Sequence, residues 1–189
     1  SDDDKELLAR KNVGVAHNPQ CNMKLANGTA PIPELLKMGV RVGIGTDGVA
    51  SNNDLDLFDE IRSCALSHKL VNGDPTVMDA RTVLEAVTIG GARLLGMQDR
   101  IGSLEAGKQA DIILLDLKQP HAWPYYNIYS LIVYSLRGSD VETVMVDGTL
   151  LMEDRTFSTL NVDELYDEVK HLSRNICRWK QRQTLEEKA

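Results

Sequence analysis

The hydrophobic positions of the chain form two patterns, short apolar runs and longer stretches with helical spacing. The runs "VGVAH" and "VRVGIGT" are apolar on both faces, which is typical of parallel strands covered on both sides. A helix is predicted before each run: "DDDKELLARKN", with Ser1 as its cap, and "PIPELLKMGV", which ends at Gly39. The intervening "NPQCNMKLANGTAP" is rich in Asn, Pro and Gly and is predicted to be a loop.

Two longer helices are predicted next, in "NDLDLFDEIRSCALSHKLV" and in "TVMDARTVLEAVTIGGARLLGM". We place the start of the second at Asp74-Pro75. Each segment has apolar residues at helical spacing, which predicts one buried stripe per helix. The stripes consist of Leu55, Phe58, Ile61 and Ala65 in the first helix and of Val83, Val87 and Leu94 in the second.

From residue 100 onward the pattern favours β-structure. A Gly-rich turn precedes an apolar strand over residues 110–117, and Asp147-Gly148 between two hydrophobic runs predicts a hairpin. An amphipathic helix is predicted to end the chain, and its buried stripe is Leu165, Val169, Leu172 and Ile176. The chain therefore divides into three predicted segments, 1–99, 100–157 and 158–189.

Composition excludes several classes of function. The chain has 189 residues, and its net charge of -7 argues against a nucleic-acid partner, because neutralising phosphates requires clustered Lys and Arg. Its three cysteines are widely spaced and form no CxxC, which argues against disulfides and fits a reducing cytoplasm. No stretch approaches the roughly 20 apolar residues that cross a bilayer. We expect a cytoplasmic protein that binds neither nucleic acid nor membrane.

The two predicted strands are each followed by a polar candidate residue, His17 and Asp47. Ligand sites in parallel α/β folds lie at the carboxyl ends of the strands, so both side chains are candidates for one pocket. Two alternatives stay open, since Asp-Gly is a common turn pair and a single His is often a hydrogen-bonded rim residue. Gly43 and Gly45 remove side chains where a ligand or a neighbouring backbone comes close.

Other candidates are weaker. Cys21 lies in the first loop, but no base for a nucleophile is visible beside it in the sequence. His68, His121 and His171 lack the spacing of a ligand pair and are interpreted as surface or packing residues. A catalytic zinc commonly has three protein ligands, and the chain contains no His-x-His, His-x-x-Glu or His-x-x-x-His. From the residues alone, the chain carries only half of a metal site.

Three motifs together carry a family resemblance: H-N-P-x-x-N-M-K-L, G-T-D-G-x-A-S-N-N and G-S-L-E-x-G-K-x-A-D, in that order. The chain resembles the amidohydrolase superfamily over nearly its whole length, in particular the methylthioadenosine/S-adenosylhomocysteine deaminases and their chlorohydrolase relatives. The resemblance implies an α/β fold, namely the C-terminal part of a metal-dependent (β/α)8 TIM barrel, part of a small accessory β-sandwich and a C-terminal helix.

The resemblance also implies a site. One divalent metal is expected, zinc or alternatively iron, with Asp47 as its last ligand and as the group that takes a proton from the attacking water. The other ligands are expected outside this chain, in an N-terminal part of the barrel. The expected substrate-binding residues are Asp47, His17, Asn22, Ser51 and Asn52. Cys21 stands where relatives usually have Ser, and this departure is expected to change the pocket shape little.

The implied reaction is hydrolytic deamination of an adenosine-type nucleoside. Two alternatives are kept: a relative that acts on guanine, a triazine or another heterocycle, and a non-catalytic interaction module derived from the fold. The expected partners are a purine nucleoside or related heterocycle, the missing N-terminal part of the barrel, and a second copy of the chain. The aromatic cluster "AWPYYNIYSLIVY" has two interpretations, packing on the barrel or contact with another subunit, and a partial subunit contact is the one we expect.

Overall fold

A computed structural model describes the backbone of residues 1–186 and the side chains of residues 1–180. It is an α/β structure with a two-stranded parallel sheet and a four-stranded antiparallel sheet. The strands are β1 (Val15–His17), β2 (Val42–Ile44), β3 (Ile112–Leu115), β4 (Val141–Val146), β5 (Thr149–Glu153) and β6 (Thr156–Phe157). The α-helices are α1 (Asp2–Arg10), α2 (Pro19–Lys24), α3 (Ile32–Lys37), α4 (Val49–Asn52), α5 (Leu57–Asn72), α6 (Ala80–Glu85), α7 (Gly91–Leu94), α8 (Ile128–Ser130) and α9 (Val162–Glu186).

The parallel pair forms the centre of the first layer. β1 and β2 pair in parallel with His17 opposite Ile44, which confirms the predicted arrangement. The helices between and after these strands pack against them, and the core contains the fully buried Ile32 and Val83. Because both strands run in the same direction, their carboxyl ends and the loops that follow lie at one edge of the sheet.

The first loop contains a helix that the sequence pattern did not predict. The segment around Cys21 forms α2, which begins at Pro19 and extends to Lys24. Proline at the first helical position has a fixed backbone angle suited to a helix and needs no hydrogen bond there. The cap of α1 is as predicted, because the Ser1 hydroxyl accepts from the Asp4 amide and the Asp4 carboxylate accepts in return.

Both longer helices begin later than predicted. Asn53 ends α4 with a left-handed φ of 82°, and α5 begins only after Asp56, whose carboxylate accepts from the Phe58 amide. Leu55 consequently lies between two helices and is 62% exposed, so its place on the buried stripe was wrong. Asp79 rather than Asp74 caps α6, since its carboxylate accepts from two amides of the first helical turn.

The α6–α7 segment packs tightly on the parallel strands. A π-helical turn, Ala86–Gly90, joins the two helices and brings Gly90 against β2. A Cβ on Gly90 would lie 2.8 Å from the Val42 carbonyl oxygen, and one on Gly43 would lie 3.1 Å from Gly91 Cα. The close backbone approach predicted for Gly43 is therefore provided by this helix.

The antiparallel sheet follows the order β3-β4-β5-β6. The predicted hairpin is confirmed, with Asp147 and Gly148 at φ 49° and 74° between β4 and β5. A helical stretch between β3 and β4 returns to the first layer, where Val133 is fully buried in the core around Ile32. Leu131 and Leu136 form a second, smaller core with Ala122.

The terminal helix α9 has the predicted amphipathic pattern, but its apolar stripe is exposed. Leu165, Val169, Leu172 and Ile176 are 46%, 52%, 59% and 54% exposed, so the prediction that this chain buries them was wrong. An apolar stripe specifies the face that a helix can bury, and within the described residues nothing covers this one. Residues 187–189 of the predicted third segment lie outside the described part. No described helix has the length and apolar character to cross a bilayer.

Candidate active site

Asp47 lies just beyond the carboxyl end of β2, with an exposed side chain and a left-handed φ of 61°. Its Oδ1 accepts a hydrogen bond from the Gly48 amide at 2.7 Å, and its Oδ2 accepts from the Cys21 thiol at 2.9 Å. The Cys21 thiol and then the Gly48 amide hold the pKa of Asp47 below its usual value. The carboxylate is therefore ionised at neutral pH and fixed from two sides.

Cys21 is buried on α2 and points at the carboxylate from the neighbouring loop. The hydrogen bond to Asp47 raises the pKa of the Cys21 thiol, so the thiol is a neutral donor rather than a nucleophile. The hydroxyl of half-buried Ser51 also lowers the pKa of Asp47. The structure thus brings Asp47, Ser51 and Cys21 together. In the sequence, Cys21 was only a weak candidate for a nucleophile, because no base was visible beside it.

Asn52 is buried behind this loop. Its Nδ2 donates to the Thr46 carbonyl oxygen at 2.8 Å and to Oε1 of Glu60 at 2.6 Å. Both amide hydrogens are thus used inside the protein, and the expected contact between Asn52 and a substrate stays a prediction. The hydrogen bond from the Asn52 side chain therefore fixes the position of Thr46, which directly precedes Asp47.

Glu60 on α5 is fully buried, and the sequence reasoning missed it. Its Oε2 accepts a hydrogen bond from the backbone N–H of Gln20 at 3.1 Å, while its Oε1 accepts from the side chain of Asn52. Burial raises the pKa of Glu60, and these two donors oppose that rise. A carboxylate next to Ile61, on the face that the helix buries, was the signal that could have identified it.

His17 ends β1 with its ring in the core, 2% exposed. Its Nε2 lies 3.1 Å from Nε2 of His68, and its Nδ1 has no hydrogen-bond partner among the described residues. Burial, and to a smaller degree His68, lowers the pKa of His17 to about 4. The imidazole is therefore neutral and paired with His68, which confirms that His68 is a packing residue. The expected substrate contact of His17 stays a prediction.

His17 and His68 belong to a buried cluster with Cys64. Ligand atoms of these three side chains lie within 4.8 Å of one another, the one such group of His, Cys, Asp or Glu found among the described residues. Burial raises the pKa of Cys64 to about 12 and lowers the pKa of both histidines. We interpret the cluster as neutral packing, because a metal there would require a thiolate in the core.

The remaining candidates lie apart from Asp47 or contribute backbone contacts. Asn22 is half-buried on α2, where its amide donates to the Asn18 carbonyl oxygen. His121 lies beside the antiparallel sheet with Nε2 2.8 Å from Oδ2 of Asp140, and His171 is exposed on α9. Both histidines are surface or packing residues, as the sequence indicated.

A carboxylate directly after a parallel strand is the arrangement that the motifs of the sequence implied, and its support from the loop after the preceding strand is found only in the structure. Residues 1–151 match the amidohydrolase family. The chain belongs to this family. The match extends from the first helix through both parallel strands into β5, so it includes every residue that supports Asp47.

Curated relatives are similar over most of this chain. It is 53% identical over 173 residues to a 5-methylthioadenosine/S-adenosylhomocysteine deaminase of Syntrophobacter fumaroxidans, covering 92% of this chain and 40% of the relative. It is 46% identical over 176 residues to a 5'-deoxyadenosine deaminase of Methanosarcina mazei, covering 93% and 40%. The chain therefore spans about two fifths of the length of these curated relatives.

Solved structures give the same result. An adenosine deaminase from Xanthomonas campestris with bound zinc superimposes with a TM-score of 0.91 at 38% identity, covering 94% of this chain and 40% of the other. An atrazine chlorohydrolase from Arthrobacter aurescens complexed with zinc gives 0.82 at 27% identity, covering 90% and 38%. The sequence resemblance to the amidohydrolases is confirmed.

Proposed function

We propose that this chain is the C-terminal part of a zinc-dependent amidohydrolase that hydrolytically deaminates methylthioadenosine, S-adenosylhomocysteine or a similar adenosine-type nucleoside. The observation that carries the proposal is Asp47, an exposed, ionised carboxylate held by two donors at the ligand-binding edge of parallel strands. The names of the two curated relatives described above support the substrate class. We assign the protein to the cytoplasm.

The proposal includes an architecture. Residues 1–99 supply the last strands and helices of a (β/α)8 TIM barrel, residues 100–157 supply part of a small β-sandwich, and residues 158–189 supply the terminal helix. Within the part of the chain that the structure describes, β1 and β2 pair only with each other and have unpaired outer edges, which supports an N-terminal part that completes the barrel.

The residues present fit a divalent metal. Asp47 offers an oxygen ligand that is exposed and ionised, and zinc and iron both accept carboxylate oxygens. Within the described residues, the three-ligand cluster around Cys64 lies in the core and excludes Asp47, so the other ligands of this metal are assigned to the N-terminal part. A bound zinc ion supplies a water whose pKa is near neutrality.

The chain's own side chains then have separate tasks. Asp47 takes the proton of the attacking water on a free lone pair and passes it toward the substrate, because each carboxylate oxygen has a second lone pair. Cys21 and Gly48 keep the carboxylate oriented and ionised before the reaction. Asn22 and Ser51, in the two loops beside Asp47, are proposed to contact the nucleoside.

The similarity to the atrazine chlorohydrolase favours a second candidate, a relative that acts on a triazine, guanine or another heterocycle. Its 27% identity is well below the 53% of the nucleoside deaminase, so the adenosine-type substrate is preferred. A non-catalytic module is disfavoured, because it would have no need for the donors that hold Asp47 ionised.

The experiment uses a joined enzyme, in which this chain replaces the matched region of the Syntrophobacter fumaroxidans deaminase. We expect it to release ammonia from methylthioadenosine or S-adenosylhomocysteine and to contain zinc. Asp47→Ala should reduce kcat by about a thousandfold and remove zinc, because a metal ligand and proton acceptor are lost together.

Asp54→Ala is the matched control, since it deletes an exposed carboxylate that lies nearby in the chain, after α4. It should retain activity and zinc. A joined enzyme that releases no ammonia from either nucleoside, while the parent deaminase does, would contradict the proposal. Activity retained in Asp47→Ala would contradict the role of this carboxylate.

A further inference from the structure

The hydrogen bonds around Asp47 form a closed ring through the interior. Glu60 accepts hydrogen bonds from the backbone N–H of Gln20 and from the side chain of Asn52. The side chain of Asn52 also donates to the Thr46 carbonyl oxygen. Gln20 directly precedes Cys21 in the chain, and Thr46 directly precedes Asp47. The hydrogen bond from Cys21 to Asp47 closes the ring.

We propose, on the basis of the function proposed above, that Glu60 is a positioning residue that sets the orientation of the Asp47 carboxylate through both neighbouring loops. On one side it fixes the first turn of α2, from which the Cys21 thiol reaches the carboxylate. On the other side it fixes Asn52 and thereby the backbone immediately before Asp47.

The identity of the side chain supports this role. Glu60 is fully buried on α5, and no ion pair of the described residues includes it. Burying a carboxylate without a cation costs free energy, and only the hydrogen bonds that its two oxygens accept offset this cost. Only a carboxylate accepts at both ends, and both oxygens here face N–H donors.

A glutamine cannot replace this function. It fits the same space, but one end of its amide is a donor and would face either the Gln20 amide or the Asn52 side chain. Glu60→Gln should therefore break the ring at one point with little change in volume. The carboxylate of Asp47 should then lose its fixed direction, although the residue itself remains.

The test measures kinetics and metal spectra in the joined enzyme. For Glu60→Gln we expect kcat to fall at least about tenfold with KM changed by no more than about twofold, since the loss concerns the transition state and not substrate binding. The visible spectrum of the cobalt-loaded variant should differ from that of the unmodified enzyme, because Asp47 is expected to be a ligand.

Ser63→Ala is the matched control. Ser63 lies on the same helix, and its hydroxyl accepts from the Gln20 side chain at 3.2 Å without joining the ring. This variant should keep kcat and the cobalt spectrum unchanged, whereas a general weakening of α5 would alter both variants alike. If Glu60→Gln does not fold, Asn52→Ala interrupts the ring at its next member and should give the same kcat loss and spectral change.

The outcomes separate this inference from the proposed function. An unmodified joined enzyme without activity would overturn both. An active enzyme in which Glu60→Gln, or Asn52→Ala in its place, keeps kcat and the cobalt spectrum would overturn the role of Glu60 alone. A fall in kcat that Ser63→Ala reproduces would reduce Glu60 to a stabilising residue.

Discussion

The Sγ atom of Cys21 lies 2.9 Å from Oδ2 of Asp47, so the loop after β1 supports the carboxylate that follows β2. The two residues are 26 positions apart and meet because their strands are parallel neighbours. A carboxylate that accepts a hydrogen bond is easier to keep ionised, and the thiol makes the largest contribution to that effect. The Asp47 carboxylate is therefore held both by the loop after β1 and by its own loop after β2.

Replacing the thiol should separate hydrogen bonding from size. Cys21→Ser keeps a donor of similar size and should retain kcat of the joined enzyme within about threefold. Cys21→Ala leaves Oδ2 without this donor and should lower kcat about tenfold, or roughly 1.4 kcal/mol, as expected for a hydrogen bond to a charged group. Steady-state ammonia release measures both. Equal rates in the two variants would contradict the donor role.

The buried His17 should make stability depend on pH. Its pKa is lowered from 6.5 to about 4, so below pH 6.5 the unfolded chain binds a proton that the folded chain does not. The contribution is complete above pH 6.5 and is lost as pH falls toward 4. It amounts to roughly 3 kcal/mol, which urea unfolding of the joined enzyme at a series of pH values would measure.

Two variants identify the group responsible for this slope. His17→Gln removes the titrating ring and should flatten the pH dependence of unfolding between pH 6.5 and 4. His171→Gln removes an exposed histidine from α9 and should leave it unchanged. An undiminished slope in His17→Gln would contradict the assignment.

The two adjacent glycines of the α6–α7 segment should respond differently to a methyl group. Gly90→Ala places Cβ 2.8 Å from the Val42 carbonyl oxygen and 2.9 Å from that of Glu85, and should lower the free energy of unfolding by about 2 kcal/mol. Gly91→Ala meets its nearest atom at 3.8 Å and should raise it by about 0.5 kcal/mol. Denaturant unfolding of both variants would measure this, and equal effects would contradict the close packing.

The aromatic cluster of residues 122–134 is the expected contact between copies of the protein. Tyr126 is 95% exposed there, whereas Val133 in the same segment is fully buried. Tyr126→Glu places a charge in the expected interface and should shift the joined enzyme to a smaller mass in light scattering. Tyr166→Glu makes the equivalent change at an exposed tyrosine on α9 and should leave the mass unchanged. An unchanged mass for Tyr126→Glu would show that the cluster faces solvent and would contradict the prediction.

Local patterns predicted much of the fold. The parallel strands, the Ser1 cap and the Asp147-Gly148 hairpin follow from short-range spacing and turn chemistry, and the structure confirms them. The starts of the longer helices were misplaced, because several Asp residues compete for the role of cap. Only the fold determines which carboxylate meets free amides, and here these are Asp56 and Asp79.

The site was predictable in part. The position of Asp47 after an apolar strand predicts that it is a candidate site residue. The hydrogen bonds that hold its carboxylate depend on long-range contacts, which residue spacing does not encode. The position of Glu60 beside Ile61 was a signal of burial, but its two hydrogen-bond donors are known only from the fold, and Cys21 lacks a visible partner until β1 and β2 are paired. The side to which a strand-end residue points is likewise fixed by packing, as with the ring of His17.

Val133 has a consequence for how the chain is synthesised. It completes the core around Ile32 and Val83, although it lies beyond the first strand of the antiparallel sheet. A chain emerging from the ribosome therefore cannot close this core when residue 99 appears, and must wait until the segment that carries Val133 has been translated. Cleavage after residue 99 would accordingly release two fragments that each need the other to exclude water.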